Sequence, residues 1–251
     1  MIIRPSIFNN KNIVAAQSTR LGGVSQAPYF SMNLGLSVND EKENVIKNRE
    51  LFFGNLGIEL SQLVMSKQVH GNKVYVANTP IILGEGFDAL ITNEPGTFLA
   101  ISVADCTPIL IYDFKNNSIA AIHAGWNGTS AEIVKRTLQK MNENYGTKGF
   151  DCKAFIGACI GYENFEVGNE VAEQFDVDFK RFDAQKQKYY IDLKGANKKQ
   201  LLDFGLSLEN IEVSPYCTFK NEELFFSHRR DKGVTGRMIA VIGISFNTFH
   251  I

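Results

Sequence analysis

The stretch FLAISVADCTPILIYDFKNNSIAAIHAGWNGTSAEIVKRTLQKMNENY, residues 98–145, decides how the fold is read. It holds three short apolar runs, 98–103, 108–112 and 118–123, each rich in β-branched residues and bounded by turn formers, which is the pattern of buried strands. Asp105, Cys106, Thr107 and Pro108 interrupt the first two runs, and the third ends on His123, directly before AGWNGTS. From 129 to 145 the spacing becomes helical. Thr129 and Glu132 stand at capping-box spacing, and Val134, Leu138, Met141 and Tyr145 share one stripe. A long helix directly after central strands predicts α and β packed in layers, not an all-β barrel.

Further strand-like runs lie at 12–16, 63–69, 73–76, 153–160, 189–193, 212–213, 224–227 and 238–246. The stretch 76–87 reads as a short connecting loop. Residues 40–53 predict a second helix, with Asp40 and Glu43 as its capping box and Val45, Arg49, Phe52 and Leu56 on one face. A third, shorter helix is expected over 196–204. No Pro/Ser-rich linker, low-complexity tract or repeat divides the chain. The expectation is α/β (α+β): a single-domain, layered α-β sandwich with a mixed sheet, spanning 1–251.

The 251 residues carry 26 Lys plus Arg against 27 Asp plus Glu, a net charge of −1, with 44% apolar and 21% charged residues. That balance is globular. It argues against a broad electrostatic footprint for nucleic acid or anionic lipid. The longest apolar run, 238–244, falls well short of the ~18 residues that suggest a membrane span. MIIRPSIFNN lacks the layout of a secretion signal. Four cysteines (Cys106, Cys152, Cys159, Cys217) with no CxxC do not make a disulfide scaffold. The expectation is a cytoplasmic protein with reduced thiols, a small-molecule substrate, no nucleic-acid or membrane partner, and a monomeric or homodimeric state.

Only four histidines are present: His70, His123, His228 and His250. His70 lies in SKQVHGNKV, between a strand pattern and a Gly-Asn turn, and Cys106 lies in SVADCTPIL beside a carboxylate. A histidine ending a buried strand is more often a hydrogen-bonded core residue than a ligand, and a cysteine in an apolar run is usually a small hydrophobe. Against that, burying a charge such as Asp105 costs several kcal/mol unless it is paired or has a task. Two imidazoles and one thiolate suit zinc, and three protein donors leave a fourth position open, the mark of a catalytic site. The spacing of these three residues is not diagnostic; it depends on the fold bringing strand ends together.

A second constellation concerns anions. Arg49 occupies the apolar stripe of its helix, where it either forms an internal ion pair, snorkels to the rim, or points into a phosphate or carboxylate pocket. Arg20, Arg229, Arg230 and Arg237 stand in Gly-rich turns and are further candidates. The helix after HAGWNGTS offers an amide-lined N-terminus, without the GxxxxGK[ST] pattern of a nucleotide P-loop.

Taken together, these segments resemble the laccase-domain family, also called YfiH-like, polyphenol oxidase or peptidoglycan editing factor proteins. The resemblance runs through STRLGGVS (18–25), FSMNLG (30–35), NRE (48–50), KQVHG (67–71), FDALIT (87–92), ADCTPILIYD (104–113), AAIHAGWNGT (120–129), IGACIG (156–161) and SHRRDKGVTGRM (227–238). It covers nearly the whole chain in family order. It implies a zinc-type site made by His70, Cys106 and His123, and purine nucleoside chemistry. That chemistry is phosphorolysis of adenosine, inosine, guanosine and methylthioadenosine to base plus ribose 1-phosphate, and hydrolytic deamination of adenosine to inosine. The same carry-over puts Ser31, Asn33 and Arg49 in the nucleoside and phosphate pocket, with Arg229 as a further substrate or phosphate contact. Asp105 would orient a metal-bound imidazole or carry a proton.

Three rivals accompany this reading. A four-copper oxidase needs about ten histidine ligands, and this chain has four; a single copper at the His70/Cys106/His123 site stays open, since copper(II) outcompetes zinc for such donors. Cys106 could instead be a nucleophile with a histidine base, hydrolysing peptidoglycan precursors. A non-enzymatic module would close its zinc with a fourth protein donor, drawn from Cys152, Cys159 or His228.

Overall fold

Continuous apolar runs, rather than alternating ones, arise where both faces of a strand are covered, and this chain is built from such strands. The computed structural model describes residues 2–245. In chain order its elements are β1 (Ile2–Ile3), β2 (Ile13–Ser18), α1 (Lys42–Gly54), β3 (Leu63–Lys67), β4 (Val74–Val76), β5 (Ile81–Glu85), β6 (Ala89–Thr92), β7 (Phe98–Val103), β8 (Thr107–Asp113), β9 (Ser118–Ala124), α2 (Trp126–Ser130) and α3 (Ile133–Tyr145). There follow β10 (Cys152–Ile156), β11 (Glu166–Val167), α4 (Asn169–Ala172), β12 (Lys180–Asp183), β13 (Lys188–Ile191), α5 (Leu193–Asp203), β14 (Ile211–Val213) and β15 (Met238–Ile244). Phe246 and His250 lie outside the described residues.

Two six-stranded sheets, in the orders β1-β2-β15-β7-β3-β5 and β14-β10-β8-β9-β6-β4, accompany a small sheet β11-β13-β12. Both large sheets are mixed: β3 runs parallel to β5 and β7, β4 parallel to β6, and β10 parallel to β14, among otherwise antiparallel pairs. The strand period of two sorts each run between two cores. Leu99, Ile101 and Val103 of β7 meet Leu110 of β8 and Ile119 and Ala121 of β9 between the sheets. The alternate residues of β7, Phe98 and Ala100, face Phe52, Phe53 and Leu56 of the α1 region. On the far side, Ile109, Ile111, Ala120 and Ile122 pack against Ile133, Val134, Leu138 and Met141 of α3 and Leu201 of α5. The result is four layers, helix, sheet, sheet, helix: the expected layered α-β sandwich, with both large sheets mixed. Each fully buried Leu or Ile contributes roughly 1.5–3 kcal/mol of burial.

Several local expectations are corrected. Asp40 does not cap α1: the N-cap is Glu41, without a side-chain bond. Asp40 instead accepts from Ser25 Oγ (2.7 Å) and Asn33 Nδ2 (2.8 Å), so loop bonds displaced the cap. The helix expected over 129–145 is two helices, broken where Glu132 takes a left-handed φ of 56°. The 76–87 loop contains β5. Residues 224–227 are irregular, not strand; Phe225 and Phe226 are buried there because they anchor the loop to the inter-sheet core.

The topology gathers loops at one edge. Met238 pairs with Val103, Leu63 with Phe98 in parallel, and Thr107 with Ala124. The ends of β3, β7 and β9 and the beginnings of β8 and β15 therefore share that edge, and the 104–106 turn crosses from one large sheet to the other.

Candidate metal centre

Three segments bring the donors together. His70 follows β3, where Gln68 extends the strand by exchanging two 2.8 Å bonds with the Ser102 backbone of β7. Cys106 sits in the crossing turn, and His123 near the end of β9. Their ligand atoms all lie within 4.8 Å of one another. The two imidazoles meet edge to face at 77°. His70 is exposed, Cys106 half-buried and His123 buried, so the cluster is anchored on one side and open to solvent on the other. Glycine at 125 keeps this space clear: a Cβ there would meet His70 Cδ2 at 3.2 Å and Cys106 Sγ at 3.3 Å.

The residue that organises the cluster is Asp88, which the residue-level reading passed over. Its side chain is fully buried. Oδ1 accepts from His123 Nδ1 (2.8 Å) and His70 N (2.9 Å), while Oδ2 accepts from Gly71 N (2.8 Å) and Val69 N (3.3 Å). One carboxylate thus fixes the His123 tautomer, with Nδ1 donating, and holds the loop carrying His70 at its left-handed φ of 59°. Asn127 of α2 adds a 3.0 Å bond to the His70 carbonyl. A signal for Asp88 stood in FDALIT, a carboxylate at the head of a wholly apolar run.

Asp105, expected from sequence either to orient a metal-bound imidazole or to carry a proton, is bonded elsewhere. Its carboxylate accepts from Thr218 Oγ1 (2.6 Å), Ser227 Oγ (3.0 Å) and Arg229 N (2.7 Å), tying the 218–229 segment to the crossing turn. The imidazole it was expected to orient is held by Asp88. Cys152, Cys159 and His228 do not join the cluster among the described residues, so no fourth protein donor closes the site there. Cys159 pairs instead with Cys217 through an isolated parallel backbone contact, and both thiols are free.

The arginines divide into two groups. Arg20 and Arg230 are bound into the backbone: Arg20 donates to the Phe30 and Glu222 carbonyls, Arg230 to those of Thr218 and Phe225 and to Asp231. Arg229 donates to the Glu166 carbonyl at 2.7 Å and lies over Phe165. Arg49 donates from Nε to the Leu34 carbonyl at 2.9 Å and has no carboxylate partner among the described residues, so the internal ion pair is not formed. Ser31 and Asn33 are buried, and their side-chain bonds run within the chain: Ser31 to Gly23 N and the Arg20 carbonyl, Asn33 to Asp40, Gly35 and Arg237.

Electrostatics fit a metal donor set. Burial opposes ionisation of Cys106, but His123 and His70 outweigh it and lower the thiol to about 6. Burial equally opposes a charged His123, yet the Cys106 thiolate and Asp88 raise it to about 9. Burial keeps Cys159 protonated, up to about 11, and pushes Cys152 higher still. Metal-stripped protein should therefore react with iodoacetamide at Cys106 with a rate rising through about pH 6, before Cys152 or Cys159 reacts. A divalent metal ion bound by these donors should protect Cys106. A rate rising only above pH 8 would contradict this electrostatic picture. One soft sulfur and two imidazoles, pre-oriented and open on one side, match the donor set of a catalytic zinc.

Residues 14–245 match the model of the family described as multi-copper polyphenol oxidoreductase laccase. A purine nucleoside phosphorylase of Bacteroides thetaiotaomicron is 39% identical, covering 95% of this chain and 94% of that protein. The purine nucleoside phosphorylase YfiH of Escherichia coli is 37% identical over 96% of this chain and 98% of its own. Among solved structures, YlmD from Geobacillus stearothermophilus superposes with a TM-score of 0.88 at 33% identity, covering 96% of this chain and 94% of that one. No described helix is long and apolar enough to cross a membrane.

Proposed function

The chain belongs to the multi-copper polyphenol oxidoreductase laccase family, in which its YfiH and YlmD relatives fall, and on that premise we propose a zinc-dependent purine nucleoside enzyme. It phosphorolyses adenosine, inosine, guanosine and methylthioadenosine to base plus pentose 1-phosphate, and hydrolytically deaminates adenosine to inosine. The observation that carries the reading is the solvent-open His70, Cys106 and His123 cluster, in a chain whose relatives bear the phosphorylase name.

Zinc held by these three residues would supply Lewis acidity, making water a competent nucleophile near neutral pH. Asp88 keeps the His123 proton on Nδ1, leaving Nε2 as the free donor atom. Arg49 supplies a cation that holds phosphate against the ribose carbon it attacks as the base leaves, a matter of positioning and charge stabilisation. Ser31 and Asn33 shape the loop against which that cation lies. Asp105 holds the Arg229 segment against the crossing turn. Copper could load the same donors, so oxidase activity after copper addition does not distinguish the readings.

The test incubates metal-analysed protein with adenosine, with and without phosphate, and separates the products. Adenine should appear only with phosphate, and inosine in both reactions. If neither exceeds a His70→Ala control, the proposal is wrong. His70 is exposed, so that control should fold.

A further inference from the structure

Two arginines that the sequence placed in unrelated motifs flank one dipeptide. Arg49, on α1, donates from Nε to the Leu34 carbonyl at 2.9 Å, and its two terminal nitrogens form no hydrogen bond among the described residues. Arg237 lies on the other side of the same backbone. Its carbonyl accepts from Leu34 N at 3.0 Å, and its own N–H donates to Asn33 Oδ1 at 2.9 Å. Glycine at 35 is required here, because a Cβ would stand 2.6 Å from Arg237 Cγ. Arg237 curls its Nη1 onto the Thr235 and Gly236 carbonyls, which leaves Nε and Nη2 without a partner in the chain. Neither guanidinium has a carboxylate within ion-pair distance among the described residues, and both are half-buried.

Register places Arg237 beside the metal cluster. It immediately precedes Met238, which pairs with Val103, so it emerges at the edge where the Ala104–Cys106 turn crosses between sheets. Burial lowers its basicity, and the charges of Cys106, Asp105 and Tyr29 partly offset this, as expected for a cation facing that turn. Two half-buried cations without carboxylate partners, both bordering the Leu34–Gly35 backbone, are costly unless an anion completes them. Their free N–H groups, planar and forked, match the oxygens of a phosphate.

We infer that Arg237 and Arg49 together form a two-guanidinium seat for inorganic phosphate on the Leu34–Gly35 backbone, with Arg237 holding the anion on the side of Cys106. The inference rests on the phosphorolysis reading and deepens it by naming the residues that select the co-substrate. A merely structural Arg237 would brace the Cys106 turn instead and would be indifferent to phosphate concentration.

The test compares wild type, Arg237→Gln and Arg237→Lys, all with measured zinc content. The KM for phosphate should rise at least about tenfold in Arg237→Gln, by the loss of charge-assisted bonds, while the KM for nucleoside moves far less. Arg237→Lys should recover part of the loss, since it keeps charge without the fork. A fall in kcat with an unchanged phosphate KM, or lost zinc in both variants, overturns the inference. Calorimetric titration with inorganic phosphate gives a readout independent of turnover. Should wild type lack phosphorolysis, the function proposed above fails on its own; equal phosphate affinity in wild type and Arg237→Gln would then overturn the phosphate seat separately.

Discussion

Cys106→Ala is expected to give a folded protein that no longer retains stoichiometric metal, with kcat/KM for adenosine deamination reduced about 10³-fold or more. The argument is local. Cys106 is half-buried in the turn that crosses between sheets and only borders the inter-sheet core. Removing its sulfur therefore costs roughly 1 kcal/mol or less of stability. For the metal the loss is large. Two imidazoles remain, and the thiolate, the one anionic donor among the three, is gone. A Lewis acid is worth several kcal/mol of transition-state stabilisation, and about 4 kcal/mol corresponds to 10³-fold. Elemental analysis, thermal melting and steady-state kinetics separate the outcomes. Unaltered turnover in a metal-free Cys106→Ala protein would remove the metal from the mechanism altogether.

The layers were legible in the sequence because their cause is a one-dimensional pattern. Runs such as 98–103 and 118–123 are apolar at all but Ser102, Ser118 and His123, which demands cover on both faces, and the helical stripe of 129–145 supplies some of it. That there are two sheets rather than one was not legible. It depends on β15, from the far end of the chain, pairing between β2 and β7. The donors His70, Cys106 and His123 could be nominated from their placement at strand ends, but their convergence follows from β3 pairing with β7 and β8 with β9. Asp88 and Arg237 were harder. A carboxylate before a strand looks like an ordinary solvated residue, and Arg237 was one of four candidate arginines in Gly-rich turns; only tertiary contacts show Asp88 fully buried and single out Arg237 as lacking a carboxylate partner among the described residues. The predicted caps failed for a related reason: Asp40 and Glu132 had the right spacing, and loop bonds or a left-handed backbone took precedence.

Asp88→Asn should be nearly as damaging to the metal site as loss of a ligand, although the change is isosteric. All four groups around this carboxylate are donors: His123 Nδ1, His70 N, Gly71 N and Val69 N. An amide has one acceptor oxygen, so its NH₂ must confront two of them. If the NH₂ turns toward His123, the imidazole has to accept at Nδ1 and carry its proton on Nε2, the atom left to face Cys106 and the metal. If it turns toward Gly71 and Val69, two backbone donors lose their buried partner in the loop that presents His70. Either arrangement should weaken metal affinity about 10–100-fold and cost roughly 1–3 kcal/mol of stability. The pH response has a definite sign in metal-stripped protein. His123 is raised from 6.5 to about 9, so the stability it contributes is complete below 6.5 and is lost as pH rises through about 9. Without the Asp88 charge that upper limit should fall, and thermal melts of the stripped variant should decline at lower pH than those of stripped wild type. Zinc affinity within twofold of wild type, together with an unshifted alkaline melting limb, would show that the His123 tautomer is set by something other than Asp88.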